Sequence, residues 1–104
     1  ASEADDYTAK VLLAWELSTN PYDDLLNAQK ALALLEAKPK RYYDKVRIFE
    51  TQAAAHAASG DFKKAIKFQK KAAKEAKKLE WDIPLIAKRL ATYEAGQSYR
   101  GSYF

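Results

Sequence analysis

No cysteine and no methionine occur among these 104 residues, glycine and proline occur three times each, and there is a single histidine. Without cysteine there is no disulfide, no thiol nucleophile and no thiolate metal site, and the redox compartment stays open between periplasm and cytosol. The scarcity of glycine and proline argues against the many tight turns of an all-β fold. Absent too is any run of about eighteen apolar residues that could span a bilayer, or a basic stretch leading into an apolar one as in a signal peptide. The chain opens at Ala1 without an initiator methionine, which reads as a processed mature chain or an excised domain. A periplasmic or secreted location is favoured over a cytoplasmic one.

What is present is alanine, leucine, lysine and glutamate, the strong helix formers, in a length that suits one modest core. Periodicity and punctuation predict five helices. The first runs from about Glu3 to Ser18, behind Ser2 and the acids Glu3, Asp5 and Asp6, with Tyr7, Val11, Ala14 and Trp15 on one stripe. Asn20-Pro21 breaks it, and Asp23 or Asp24 opens a second helix that ends near Lys38-Pro39. Leu25, Leu26, Ala28, Ala31, Leu32, Ala33, Leu34 and Leu35 make this second helix apolar almost all round, the pattern of the most buried element. Asp44 caps a third helix through Ala58, whose small run Ala53, Ala54, Ala55, Ala57 and Ala58 permits close backbone approach, and Ser59-Gly60 ends it. Asp61 caps a fourth helix to about Leu79, with Phe62, Ala65, Ile66, Gln69, Ala72, Ala73, Ala76 and Leu79 at helical spacing. Pro84, after Asp82 and Ile83, sits in the first turn of a fifth, with Ile86, Ala87, Leu90 and Tyr93 as its apolar face and Gly96 as its stop. The stretch from Gln97 to Phe104 carries Tyr99, Tyr103 and Phe104, a composition suited to docking on the chain's own surface or on a partner.

Residues 53–72 read AAAHAASGDFKKAIKFQKKA, and this segment resembles the centre of a tetratricopeptide repeat. The likeness rests on a small residue at Ala53, a ring at His56, the turn glycine Gly60 with Asp61-Phe62 after it, and small residues at Ala65 and Ala72. Phe49 stands where the family places its large anchor, and Val46 to Leu79 fits a repeat of about 34 residues. Gln52 and His56 depart from the usual leucine and tyrosine. Residues 1–38 resemble a more degenerate repeat, through Ala14-Trp15 and Asn27-Ala28-Gln29-Lys30-Ala31-Leu32, and residues 83–96 are similar to the helix that caps such repeats in many bacterial proteins. The resemblance implies one all-α domain, a right-handed stack of two helical hairpins (1–38 and 44–79), a capping helix (83–96) and an aromatic tail (97–104). It also implies a concave surface lined by Thr8, Val11, Trp15 and Ser18 from the first helix and by Arg47, Glu50, Ala54 and Ala57 from the third. A protein or peptide bound there, or a second copy of the chain, is the expected partner.

Each candidate has a plainer reading beside it. Trp15 suits an aromatic anchor for a partner, but burial trends favour packing against the second or third helix. Residues 61–80 hold eight lysines against three acids, a local balance of +5 against +4 for the whole chain. Lys63, Lys67, Lys70, Lys71, Lys74 and Lys78 form a basic face that could meet nucleic acid, an anionic membrane or an acidic partner. The same lysines are also what remains of an amphipathic helix once its apolar stripe is removed, and no arginine interleaves them to read bases. His56 has neither a cysteine nor a second histidine to complete a nucleophilic pair or a typical zinc site. The pairs Asp5-Asp6 and Asp23-Asp24 occupy helix starts, where acids serve as caps. Tyr42-Tyr43, Tyr99, Tyr103 and Phe104 suit either a sticky patch or partial burial between helices. No catalytic constellation, phosphate loop or dinucleotide fingerprint is visible, so the expectation is a binding or oligomerisation module without catalysis, metal or cofactor, with nucleic acid not the expected partner.

Overall fold

The computed structural model describes residues 3–36, 38–39 and 44–104. Among them the regular structure is all helical: α1 (Glu3–Thr19), a 3-10 turn (Asp23–Leu25), α2 (Ala28–Glu36), α3 (Lys45–Ala58), α4 (Phe62–Lys78) and α5 (Pro84–Glu94). Neighbours in sequence pack against one another, and α1 also packs on α3. The extents are 37 × 34 × 22 Å, so the thinnest direction is two helix diameters of about 10–12 Å each. The result is a two-layer stack. No described helix is long and apolar enough to cross a membrane.

Local chemistry sets the boundaries. Pro21 stops α1, whose last turn is tied by the Ser18 and Thr19 hydroxyls donating to the carbonyls of Ala14 and Trp15. Asp44 Oδ1 accepts from the Arg47 amide at the start of α3, and Asp61 Oδ1 accepts from the Lys64 amide at the start of α4. Pro84 opens α5 in the first turn, where its missing N–H costs nothing. At the end of α3, Gly60 takes φ +89° while the Asp61 amide reaches back to the His56 carbonyl.

The second helix departs from expectation in place and burial. Asp23 and Asp24 lie in the 3-10 turn, and α2 begins only after Asn27, whose Oδ1 accepts from the Lys30 amide. Leu25 is therefore exposed, and only Ala31 and Leu35 of α2 are buried. The most buried element is α3, where eight of fourteen residues are enclosed, including Ala53, Ala54, Ala55 and Ala57. The alanine run lets α2, α4 and α1 approach α3 from several sides, so burial follows from position in the stack and not from side-chain hydrophobicity. Ser2, Tyr42 and Tyr43 fall outside the described residues.

Among the described residues three clusters form the core. Tyr7, Val11, Ala14, Ala31, Leu35, Ile48 and Ala55 join α1, α2 and α3. Ala53, Ala57, Ala65 and Tyr93 join α3, α4 and α5. Val46, Ala76 and Ile86 close the far end. Beyond that end, α5 leaves a cleft of about 420 Å³ against α4, lined by Ala73, Ala76, Ile83, Ile86, Ala87 and Leu90, with Trp81 half exposed at its rim. The apolar face of α5 is accordingly split. Ile86 and Tyr93 turn inward, Ala87 is exposed, and the buried position between them belongs to Arg89.

Candidate functional site

The inner face of the stack is built from α1, α3 and α5 and is filled by long side chains. Glu50 and Arg89 are both fully buried, and Arg89 Nη1 donates to Glu50 Oε1 at 2.8 Å. Gln69 of α4, also fully buried, donates from Nε2 to the same carboxylate oxygen and to the Ile86 carbonyl, both at 3.1 Å. One carboxylate oxygen thus ties α3 to α4 and α5. Two charges enclosed this completely persist only because they meet each other and further hydrogen-bond partners.

Arg89 has a second set of partners. Its Nη2 donates to the main-chain carbonyls of Ser102 and Tyr103, and its guanidinium carbon lies 4.7 to 4.9 Å from the ring centres of Trp15, Tyr99 and Tyr103. A guanidinium can donate in its plane while stacking above and below it, which lysine cannot do. The segment 97–104 passes over this arginine without helical structure. Trp15 Nε1 donates to the Gly101 carbonyl at 3.1 Å, and the Gly101 amide donates to the Thr19 carbonyl at 3.0 Å. Arg100 Nη1 donates to Asp23 Oδ1 at 2.8 Å and to the Asn20 carbonyl at 3.2 Å. The Tyr103 ring meets Trp15 edge-on at 5.1 Å and lies under the Arg47 guanidinium at 4.4 Å. Burial, and then the Glu50 carboxylate, raises the Tyr103 hydroxyl well above the ordinary tyrosine range. Burial likewise raises Tyr93, against the opposing charge of Arg89.

Of the sequence candidates for this surface, Trp15, Arg47 and Glu50 converge around the segment and Arg89. Val11 belongs to the core shared with α2, and Ala57 to the core shared with α4 and α5. Ser18 and Ala54 are buried, while Thr8 is half-buried. Trp15 is only 3 % exposed, buried as its plainer reading expects, but it is the 97–104 segment that covers it. Sequence reading gave Arg89, Gln69 and Thr19 no part in the site. A signal was present, since Arg89 stands three after Ile86 and four before Tyr93, and Glu50 stands four after Val46 and three before Ala53. An acid and a base each on an otherwise apolar helical stripe mark a pair buried together.

Lys63, Lys67, Lys70, Lys71, Lys74 and Lys78 are all exposed on α4. Lys71 stands over the rings of Phe68 and Phe49 at 5.0 and 5.7 Å, and Lys78 pairs with Glu75. His56 stacks flat on Phe68 with centres 5.3 Å apart, and its pKa is lowered by burial and then by Lys64, with Asp61 opposing. Among the described residues no three His, Cys, Asp or Glu side chains gather as a metal site would need. Comparison with protein-family models, with curated proteins and with solved structures finds no match to this chain.

Proposed function

We propose that this chain is a tetratricopeptide-type helical module, a protein-interaction or oligomerisation element without catalysis that binds an extended peptide along the inner face of α1, α3 and α5. The observation that carries the reading is that this face already holds a non-helical stretch of polypeptide, gripped by its main chain. Trp15, Thr19 and Arg89 address carbonyl and amide groups, while Trp15, Arg47 and Arg89 enclose a ring. Main-chain contacts provide affinity for any extended segment, and a ring pocket provides selectivity. The resemblance of residues 53–72 to the repeat supports the same reading.

An electrostatic surface on α4 is the second reading, favoured by the exposure of six lysines along one helix. One selection separates the two. Random twelve-residue peptides displayed on phage are selected on the immobilised chain, and the winners are retested at high salt and on Arg47→Ala. Peptides bound at the inner face survive salt and weaken on Arg47→Ala. Acidic peptides that leave in salt and ignore Arg47→Ala would move the function to α4.

A further inference from the structure

Residues 99–103 of the segment over Arg89 lie along the inner face. Five consecutive residues meet it, each through different chemistry. Tyr99 packs against Trp15 and Arg89, with ring centres 6.0 Å apart in the first contact. Arg100 reaches Asp23 and the Asn20 carbonyl at the rim. Gly101 pairs in both directions, to Trp15 Nε1 and to the Thr19 carbonyl, at φ +142°. Glycine adopts that backbone freely and residues with a Cβ rarely do, so the two-way pairing selects glycine through conformation. Ser102 is exposed and offers Arg89 only its carbonyl, which any residue has. Tyr103 fills the space between Trp15, Arg47 and Arg89.

Resting on the reading just given, we infer that the partner of the inner face is an extended peptide of the pattern aromatic, basic, glycine, any residue, aromatic, and that Tyr99 to Tyr103 is the chain's own copy of it, seated in cis. The joint that permits exchange is Gly96, at φ +72° after α5, followed by exposed Gln97. A tethered occupant acts at an effective concentration on the order of millimolar, so a peptide in trans must displace it. The pattern dictates a graded response. Loss of the second ring or of the glycine removes a buried contact or the backbone geometry, whereas loss of the basic residue removes an exposed ion pair of small worth.

The test uses fluorescein-labelled peptides with the sequence of residues 97–104, QSYRGSYF, and fluorescence anisotropy. They are titrated into the full chain and into its Arg100→Glu/Tyr103→Ala variant, in which the seated segment is weakened while Trp15, Thr19, Arg47 and Arg89 are retained. The variant should bind the peptide at least about ten-fold more tightly than the unaltered chain, because the cis competitor is loosened. Peptides carrying Gly101→Val or Tyr103→Ala should lose about ten-fold or more, and Arg100→Ala only a few-fold. Should circular dichroism show the double variant poorly helical, the single Arg100→Glu chain, altered only at a surface pair, must show the same order of peptides. Equal binding of the native and Gly101→Val peptides would overturn the pattern while leaving the inner face a general peptide groove. No binding of this peptide, when phage-selected peptides do bind and weaken on Arg47→Ala, would overturn the inference alone. Failure of both sets would remove the peptide-binding reading as well.

Discussion

Arg89 does more than any other single side chain here, because one guanidinium joins α5 to Glu50 of α3, to the 97–104 main chain and to three rings. Its removal leaves Glu50 buried without a countercharge, and Arg89→Met should cost about 3–5 kcal/mol in urea unfolding. Adding Glu50→Leu to Arg89→Met should recover much of that loss, since a buried pair replaced by apolar groups is often neutral. A second residue-scale prediction concerns His56. Its folded pKa lies below the ordinary 6.5, with burial the main cause and Lys64 next. The unfolded chain therefore takes up this proton first as pH falls. The stability contributed by neutral His56 is complete above about pH 6.5 and declines as pH drops from there through the folded pKa. His56→Gln should flatten that decline in urea midpoints compared between about pH 7.5 and pH 5.5, and an unchanged slope would assign it to other groups.

At the scale of the element, α4 ends in the same way as α3 and α5 but without glycine. The Trp81 amide donates to the Ala76 carbonyl and the Glu80 amide to the Lys77 carbonyl, a closure that places Glu80 at φ +57°. A residue with a Cβ pays about 1–2 kcal/mol there, partly offset because glycine loses more entropy on folding. Glu80→Gly should accordingly stabilise by roughly 0.5–1 kcal/mol, read as a higher thermal midpoint. α2 shows the limit of local patterning. Its leucines suggested a helix enclosed on all sides, but Asn27 caps it late, with its amide held by the Leu17 carbonyl, and one face is left to solvent. A leucine-rich stripe reports that a helix can be buried, and the neighbours decide whether it is.

For the whole molecule, the decisive event is the return of residues 97–104 across α1, which closes the inner face over Trp15. Trp81 is half exposed, so in a Trp81→Phe background the emission reports Trp15 alone. Tyr103→Ala should shift that emission to longer wavelength and raise acrylamide quenching, with helical content retained because the ring belongs to no helix. An unshifted spectrum would mean that the remaining segment covers Trp15 without Tyr103. The same substitution should loosen the contacts of Arg89 with the Ser102 and Tyr103 carbonyls, and the Gly101 amide, which donates to Thr19, should lose protection from hydrogen exchange.

Helix number, helix starts at Asp44, Asp61 and Pro84, and the stop at Gly60 were legible along the chain, because capping, proline and left-handed glycine act within a few residues of themselves. So was the clustering of lysine on one side of α4, which follows from helical period alone. Tertiary structure decided that α3 and not α2 is the enclosed helix, that Glu50 finds Arg89 across 39 positions of sequence, and that Gly101 meets Thr19 of α1 across 82. These are pairings between elements, and their partners are chosen by which surfaces the stack brings within reach. Trp15 states the difference most plainly: its place on the first helix was fixed by spacing, whereas its burial was fixed by a segment that begins only after the last helix has ended.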